Sequence, residues 1–287
     1  MPMLDPRLLR SFAAIADTGS FTQAAERLNM TQSTISQQLA RLEEAVGLEL
    51  IDRVARPVRP TASGERLLGY ARRILALQQE AETMLGDPAG TASVRIGVPE
   101  DIVTGTMAKV FANFTRQHRE IRLDVFAGLS RDLTKRYRAG ELDIAVVKEA
   151  SASADHRATF PEPMAWFEGA DAPATWPDPL PLVAFPPGGL YREAMFERIE
   201  RERRRWYIAF SGSSLYNVLV AVEAGLGLSL LPMEAAAGRR LRPYAPFGKE
   251  PAMVTSIYSW EKSGPVAELA ESMSAILAER FSSGARR

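Results

Sequence analysis

Cysteine is absent from the chain, and histidine is nearly so, with only His118 and His156. The first absence excludes disulfide scaffolds, thiolate zinc sites, iron–sulfur clusters and thiol switching. The second argues against a histidine metal site or a Ser–His triad. No catalytic residue, metal or cofactor is expected. No apolar run approaches the ~20 residues that a bilayer span needs. The opening Met1-Pro2-Met3-Leu4-Asp5 lacks a charged-then-apolar leader. A cytoplasmic protein with no membrane partner is therefore expected. An excess of one charge is missing too, with 35 Lys+Arg against 35 Asp+Glu. A case for a polyanionic partner must rest on local placement of charge. Neither a Walker loop, a G-x-G-x-x-G nor a helical repeat occurs.

What remains is ordinary globular composition, 46% hydrophobic and 24% charged, over 287 residues. That length suits about two domains. The first sixty residues read as short helices. Leu8, Phe12, Ile15 and Ala16 recur at helical spacing behind Pro6, and Thr18-Gly19-Ser20 stops that helix. A second short helix covers 21–28. Thr31 can cap a third over about 32–46, which Gly47 ends. Two short extended runs, 49–51 and 58–59, flank an arginine-bearing loop. From about 62 to 85 the chain is helical again, and Leu67, Tyr70, Ile74, Leu77, Ala81 and Met84 step along a heptad seam. A helix packed on its own domain and a self-pairing helix both explain that seam. Gly86-Asp87-Pro88-Ala89-Gly90 reads as a linker.

Beyond residue 93 strands and helices alternate. Strands are expected at 94–98, 121–126 and 143–147, with helices at 104–117 and 129–138. A Pro-rich, weakly structured stretch covers 159–181. Strands at 182–185, 207–210 and 227–231 then alternate with helices at 191–202 and 215–224. A strand near 256–260 and a helix at 266–281 close the chain. The pattern is an α/β domain with a parallel sheet, built as two halves around a cleft. Ligands of open α/β sheets bind outside the carboxyl ends of the strands.

The second and third helices, joined by about three residues, have the form of a helix-turn-helix. At about 100° per residue, Ile35, Leu39, Leu42 and Val46 fall together as a buried stripe. Ser33, Ser36, Gln37, Ala40 and Arg41 fall elsewhere and are small or polar. A helix entering the major groove needs such a face: small residues let the backbone approach, and Gln and Ser meet base edges. An ordinary amphipathic surface helix has the same period. The loop that follows carries Arg53, Arg56 and Arg59, with Asp52 opposing them. Residues 1–66 hold eight Arg, no Lys and eight acids, so those arginines are a local concentration in a neutral domain. Arginines on a hairpin can reach phosphates or a narrow minor groove.

Residues 4–85 closely resemble the winged helix-turn-helix and linker helix of LysR-type transcriptional regulators. The resemblance is carried by Leu9-Arg10-Ser11-Phe12, by Gly19-Ser20-Phe21-Thr22-Gln23-Ala24-Ala25-Glu26-Arg27-Leu28 and by Thr31-Gln32-Ser33-Thr34-Ile35-Ser36-Gln37-Gln38-Leu39. Leu42-Glu43-Glu44, Gly47-Leu48, Arg53 and Gly64-Glu65 continue it. Two departures are Ile51-Asp52-Arg53, where the family often has Phe-Glu-Arg, and Thr61-Ala62-Ser63-Gly64, where it usually has Thr-Pro-x-Gly. The remainder is similar to the family's effector domain through Arg95-Ile96-Gly97-Val98, Gly140-Glu141-Leu142-Asp143-Ile144-Ala145 and Ala224-Gly225-Leu226-Gly227-Leu228-Ser229-Leu230-Leu231-Pro232.

The resemblance implies a winged helix-turn-helix over 1–61, a dimerisation helix and hinge over 62–90, and a two-lobed, periplasmic-binding-protein-like effector domain over 91–287. It implies a regulator, not an enzyme, that binds an interrupted palindrome in double-stranded DNA through Thr31, Gln32, Ser33, Ser36, Gln37, Arg41, Arg53, Arg56 and Arg59. The seam would form a homodimer and the effector domains a dimer of dimers. Glu100, Asp101, Ser130, Lys148, Phe185, Ser211 and Ser213 would line the cavity for a small-molecule effector of unknown identity. Two other classes fit parts of the chain. A periplasmic solute-binding protein has the α/β halves but needs a leader and would not carry the N-terminal helices. An enzyme, or a small-molecule-binding protein with an accessory DNA-binding module, could use Glu100, Asp101 and Lys148 as acid or base.

Overall fold

The computed structural model describes residues 4–86 and 92–284. They fall into two compact units, an N-terminal one up to residue 92 that also takes in 136–142, and a C-terminal one of 93–135 and 143 onward. In the N-terminal unit, α1 (Pro6–Thr18) starts behind Asp5, whose carboxylate accepts from the Arg7 N–H, and stops at Gly19 with φ +64°. Pro6 stands where a helix needs no N–H. Ser20 caps α2 (Phe21–Arg27). Asn29, at φ +53°, turns the chain toward α3 (Gln32–Val46), which Thr31 caps. A hairpin of β1 (Ile51–Asp52) and β2 (Arg59–Pro60) pairs Ile51 with Pro60, one residue or two beyond the expected runs. α4 (Ala62–Gly86) follows. Leu9, Phe12 and Ile15 of α1 meet Ile35, Leu39 and Leu42 of α3, Leu50, Ile51, and Leu68 and Ala71 of α4 in one core. Each large aliphatic side chain buried this way contributes roughly 1.5–3 kcal/mol. Gly64 admits the close approach of α4 to the hairpin, since a Cβ there would collide with the Leu50 carbonyl.

The seam expected on α4 divides. Leu67 and Ile74 pack partly against the core of their own unit. Tyr70, Leu77 and Ala81 are exposed, and the Met84 side chain lies outside the described residues. The linker residues 87–90 also lie outside them.

The C-terminal unit opens with β3 (Ala92–Val98), α5 (Gly105–Gln117), β4 (Ile121–Ala127), α6 (Ser130–Arg138) and β5 (Ile144–Glu149). β6 (Ala158–Glu162) and β7 (Met164–Gly169) then run with only Pro163 between them. Next come β8 (Leu180–Ala184), α7 (Leu190–Arg201), β9 (Trp206–Ser211), α8 (Leu215–Glu223), β10 (Ser229–Pro232), α9 (Met233–Ala236) and β11 (Leu241–Pro243). β12 (Met253–Ser259) and α10 (Pro265–Gly284) return the chain to the first lobe. The first lobe is a five-stranded sheet ordered β4-β3-β5-β12-β6. Its core joins Ile96, Val98, Ile144, Val146 and Ile257 to Met107 and Phe114 of α5 and Leu269, Met273 and Leu277 of α10. The second lobe holds the sheet β10-β7-β11 and the pair β8-β9.

Two expectations need correction. The sheet is not simply parallel: β3 and β5 are parallel, but β12 runs antiparallel to both β5 and β6. A strand arriving back from another lobe is free to enter in the opposite sense, because no βαβ crossover links it to its neighbours. The stretch 159–181 is not weakly structured, since it contains β6, β7 and the start of β8. Pro161 reads as a strand breaker, yet β6 is an edge strand, where a missing N–H costs no ladder bond. Among the described residues no helix is long and apolar enough to cross a membrane.

Candidate functional site

Two surfaces concentrate the residues singled out in the sequence. The first is on α3. Ile35, Leu39 and Leu42 are buried, while Gln32, Ser33, Gln37, Ala40 and Arg41 are exposed and Ser36 is half-buried. Thr31 Oγ1 accepts from the Thr34 N–H at 3.2 Å and shares a hydrogen bond with Ser33 Oγ at 2.9 Å. The two neighbouring glutamines differ in use. Gln38 accepts from the Ser11 hydroxyl inside the unit, whereas Gln37 stands outward.

The hairpin is tied to α3 by a residue that sequence reasoning passed over as an opposing charge. Glu43 Oε1 accepts from the Leu50 N–H at 2.9 Å and the Ile51 N–H at 3.3 Å, and Arg53 Nη2 donates to Glu43 Oε2 at 2.6 Å. Asp52 Oδ1 accepts from the Val54 and Ala55 N–H groups at 3.0 and 3.2 Å. Those backbone bonds, Ala55 foremost, hold its carboxyl below the ordinary value of 3.8. Arg59 Nε lies 3.6 Å from Asp52 Oδ2. The three arginines are thus unequal. Arg53 and Arg59 face carboxylates, but among the described residues exposed Arg56 donates only to the carbonyls of Arg53 and Ala55, at 2.7 and 2.9 Å.

The second surface is a cavity of about 440 Å³ lined from both lobes of the C-terminal unit. Glu100, Asp101, Ser130, Lys148, Phe185 and Ser213 all line it. Ser211 does not: it ends β9 as an exposed residue two positions short of the rim. Ser130 is spent internally, accepting from the Lys148 N–H at 2.8 Å. Ser214, not Ser213, caps α8. Lys148 lines the cavity as expected, but in a different setting. It lies within β5 rather than after it, and its side chain is only 5% exposed. Its Nζ is 2.6 Å from Asp101 Oδ2 and 2.9 Å from Glu162 Oε1. Tyr191 donates to Glu162 Oε2 at 3.0 Å, and its ring lies 5.3 Å from Lys148 Nζ. Burial, then Glu162 and Asp101, push the Tyr191 phenol well above its usual 10.0. Arg280 donates to the Asp101 carbonyl at 2.8 Å and, through Nε, to Glu234 at 2.9 Å. Glu162, Tyr191 and Arg280 carried no sequence signal, because they converge from β6, α7 and α10.

An exposed polar helix face with an arginine-bearing hairpin, on the same chain as a two-lobed unit around a cavity, defines a DNA-binding regulator with a separate effector unit. Comparison with known proteins agrees. Residues 6–65 match the family described as "Bacterial regulatory helix-turn-helix protein, lysR family", and residues 89–282 match "LysR substrate binding domain". The HTH-type transcriptional regulator DgdR of Burkholderia cepacia is 30% identical over 232 residues, covering 81% of this chain and 79% of its own. PecT of Dickeya dadantii is 30% identical, covering 80% and 73%. The fold is similar to full-length LysG of Corynebacterium glutamicum, solved with bound effector Arg, at TM-score 0.57, 22% identity and coverage of 96% and 99%. It is similar also to ArgP of Mycobacterium tuberculosis, at 0.54, 23%, and 95% and 97%. The chain belongs to the LysR-type transcriptional regulators, a bacterial family of DNA-binding proteins with a winged helix-turn-helix.

Proposed function

We propose that this protein recognises a specific operator with one end of α3 and the hairpin, and that a small molecule in the inter-lobe cavity governs its action there. Thr31, Gln32, Ser33, Ser36, Gln37 and Arg41 form the base-reading and phosphate-positioning face. Arg53, Arg56 and Arg59 form the wing. Gln37 offers both a donor and an acceptor to a base edge. The cavity is the observation that carries the sensing role: about 440 Å³, walled by both lobes, with a mixed polar and apolar lining. Cavities of that size hold small metabolites. Self-association as a dimer runs along α4, where Tyr70, Leu77 and Ala81 leave an exposed stripe. A dimer would present two α3 faces to two half-sites.

Genome-wide footprinting with and without the protein tests the reading and yields its sites. A variant with the cavity filled, Ser213→Trp, is expected to keep its footprints and lose its response to growth conditions. A wild type that protects no discrete sites would overturn the reading. Analytical ultracentrifugation of Tyr70→Lys and Leu77→Lys tests the stripe. These are preferable to substitutions at Leu67 or Ile74, which also disturb the core.

A further inference from the structure

Six charged side chains line the inter-lobe cavity: Glu100, Asp101, Arg131, Lys148, Glu149 and Glu193. Three are already committed. Lys148 and Asp101 pair with each other at 2.6 Å, and each has a further partner of opposite charge, Glu162 and Arg280 respectively. Glu149 accepts from the Tyr258 hydroxyl at 2.6 Å. The other three, Arg131, Glu100 and Glu193, make no side-chain hydrogen bond or ion pair among the described residues. The cavity therefore offers one cation and two carboxylates to whatever enters.

The cation lies where a glycine leaves room for it. A Cβ on Gly188 would sit 2.8 Å from Arg131 Nη1, so the glycine is what lets the guanidinium of α6 lie against the loop before α7. That loop leads into α7, which begins with no side-chain cap. Arg192 and Glu193 N–H donate to the Gly189 carbonyl, and the Leu190 and Tyr191 N–H groups ahead of them add partial positive charge beside the guanidinium. A simple anion would meet Arg131 but leave two carboxylates facing it. A simple cation would meet Glu100 and Glu193 but face the guanidinium. All three groups are exposed at the rim; placing either ion beside its like charge is still unfavourable, whereas a ligand with both charges satisfies each side. Leu129, Phe185, Leu190 and Leu215 supply an apolar wall beside these groups.

Resting on the reading of this cavity as the effector site, we propose that its ligand is a zwitterion of the α-amino-acid type. Its carboxylate lies on Arg131 and the start of α7. Its ammonium lies on Glu100 and Glu193. An aliphatic or aromatic side chain lies on the leucine and phenylalanine wall.

Thermal unfolding of the full chain with each of the standard L-amino acids tests this. For any that stabilises, the matched amine and matched carboxylic acid are run beside it. For L-leucine these are isoamylamine and 4-methylpentanoate. At least one amino acid is expected to raise Tm, with both matched compounds roughly tenfold or more weaker, since each lacks one charge-assisted contact. Arg131→Gln is expected to erase the advantage of the amino acid over its amine. The double variant Glu100→Gln, Glu193→Gln is expected to erase its advantage over the acid. All three side chains line the cavity surface rather than a core, so the variants are expected to fold. An acid or an amine that binds as tightly as the amino acid overturns the proposal, as does a panel in which no amino acid binds. Sugars, nucleosides and aromatic acids, run in the same assay, separate the two readings. A hit among them that Ser213→Trp abolishes removes the zwitterion and keeps the cavity as a sensor. No hit in either panel, with regulation unchanged in Ser213→Trp, removes both.

Discussion

The two units use their cations in opposite ways. In the N-terminal unit Arg56 stands in solvent at the hairpin, held only by two backbone carbonyls. In the C-terminal unit Lys148 is sunk between Asp101 and Glu162. On paper both are basic residues next to extended runs. The difference follows from what each surface must meet. A polyanion is attracted by any exposed charge, and the counterions it releases drive binding. A buried lysine with two carboxylates cannot serve that purpose, and its pairing ties β5 to β6 and to the segment after β3 within one lobe.

The largest expected effect that tests this contrast is at Lys148. Lys148→Met leaves the buried carboxylate of Glu162 and the half-buried one of Asp101 without their shared partner and should destabilise the effector unit by ~3–5 kcal/mol. Urea unfolding of the full chain reads it, and a loss below ~1 kcal/mol would put Lys148 in the same class as the exposed arginines. Next comes α3. Gln37→Ala should weaken operator binding by ~1–3 kcal/mol while leaving random DNA nearly unchanged. Equal losses on both DNAs would mean that this face touches phosphate only. Glu43→Ala strands the Leu50 and Ile51 N–H groups and should cost about 1–2 kcal/mol of stability. Glu43→Gln keeps an acceptor and should recover most of it in the same melts. Smaller again is Arg56→Ala. It should leave the melting curve alone and reduce the slope of log affinity against log salt by about one. If the loss instead concentrates on A·T-rich flanks, Arg56 lies in a narrow minor groove rather than on a phosphate. The smallest effect is at Tyr191. Its folded pKa is raised above 10.0, so the unfolded chain loses the phenolic proton first. Stability is full below that value and falls as pH rises through it toward the folded one. Tyr191→Phe should flatten that alkaline limb in melts above about pH 9.

Legibility tracked how far each contact reaches along the chain. The N-terminal unit was almost fully readable, because the cap at Thr31 and the stops at Gly19 and Gly47 are local chemistry. The α3 face was readable from period alone. The helices of the C-terminal unit and most of its strands also fell near their expected places. Its mixed sheet did not, since β12 enters beside β5 from about a hundred residues downstream. The cavity was half legible. Positions at strand ends and helix starts pointed to Glu100, Asp101, Ser130, Lys148, Phe185 and Ser213. Glu162 was hidden by flanking prolines, and Arg131 looked like one more charge on an amphipathic helix. The split of the α4 seam was unreadable for another reason: a heptad period reports that a stripe is apolar, not which neighbour covers it.

Glu162 is the last residue of β6, one peptide before Pro163, and there the chain passes from one sheet to the other. Its ion pair with Lys148 staples the first lobe to itself. Tyr191 belongs to the second lobe, and its 3.0 Å bond to the same carboxylate makes that one side chain a rivet through both.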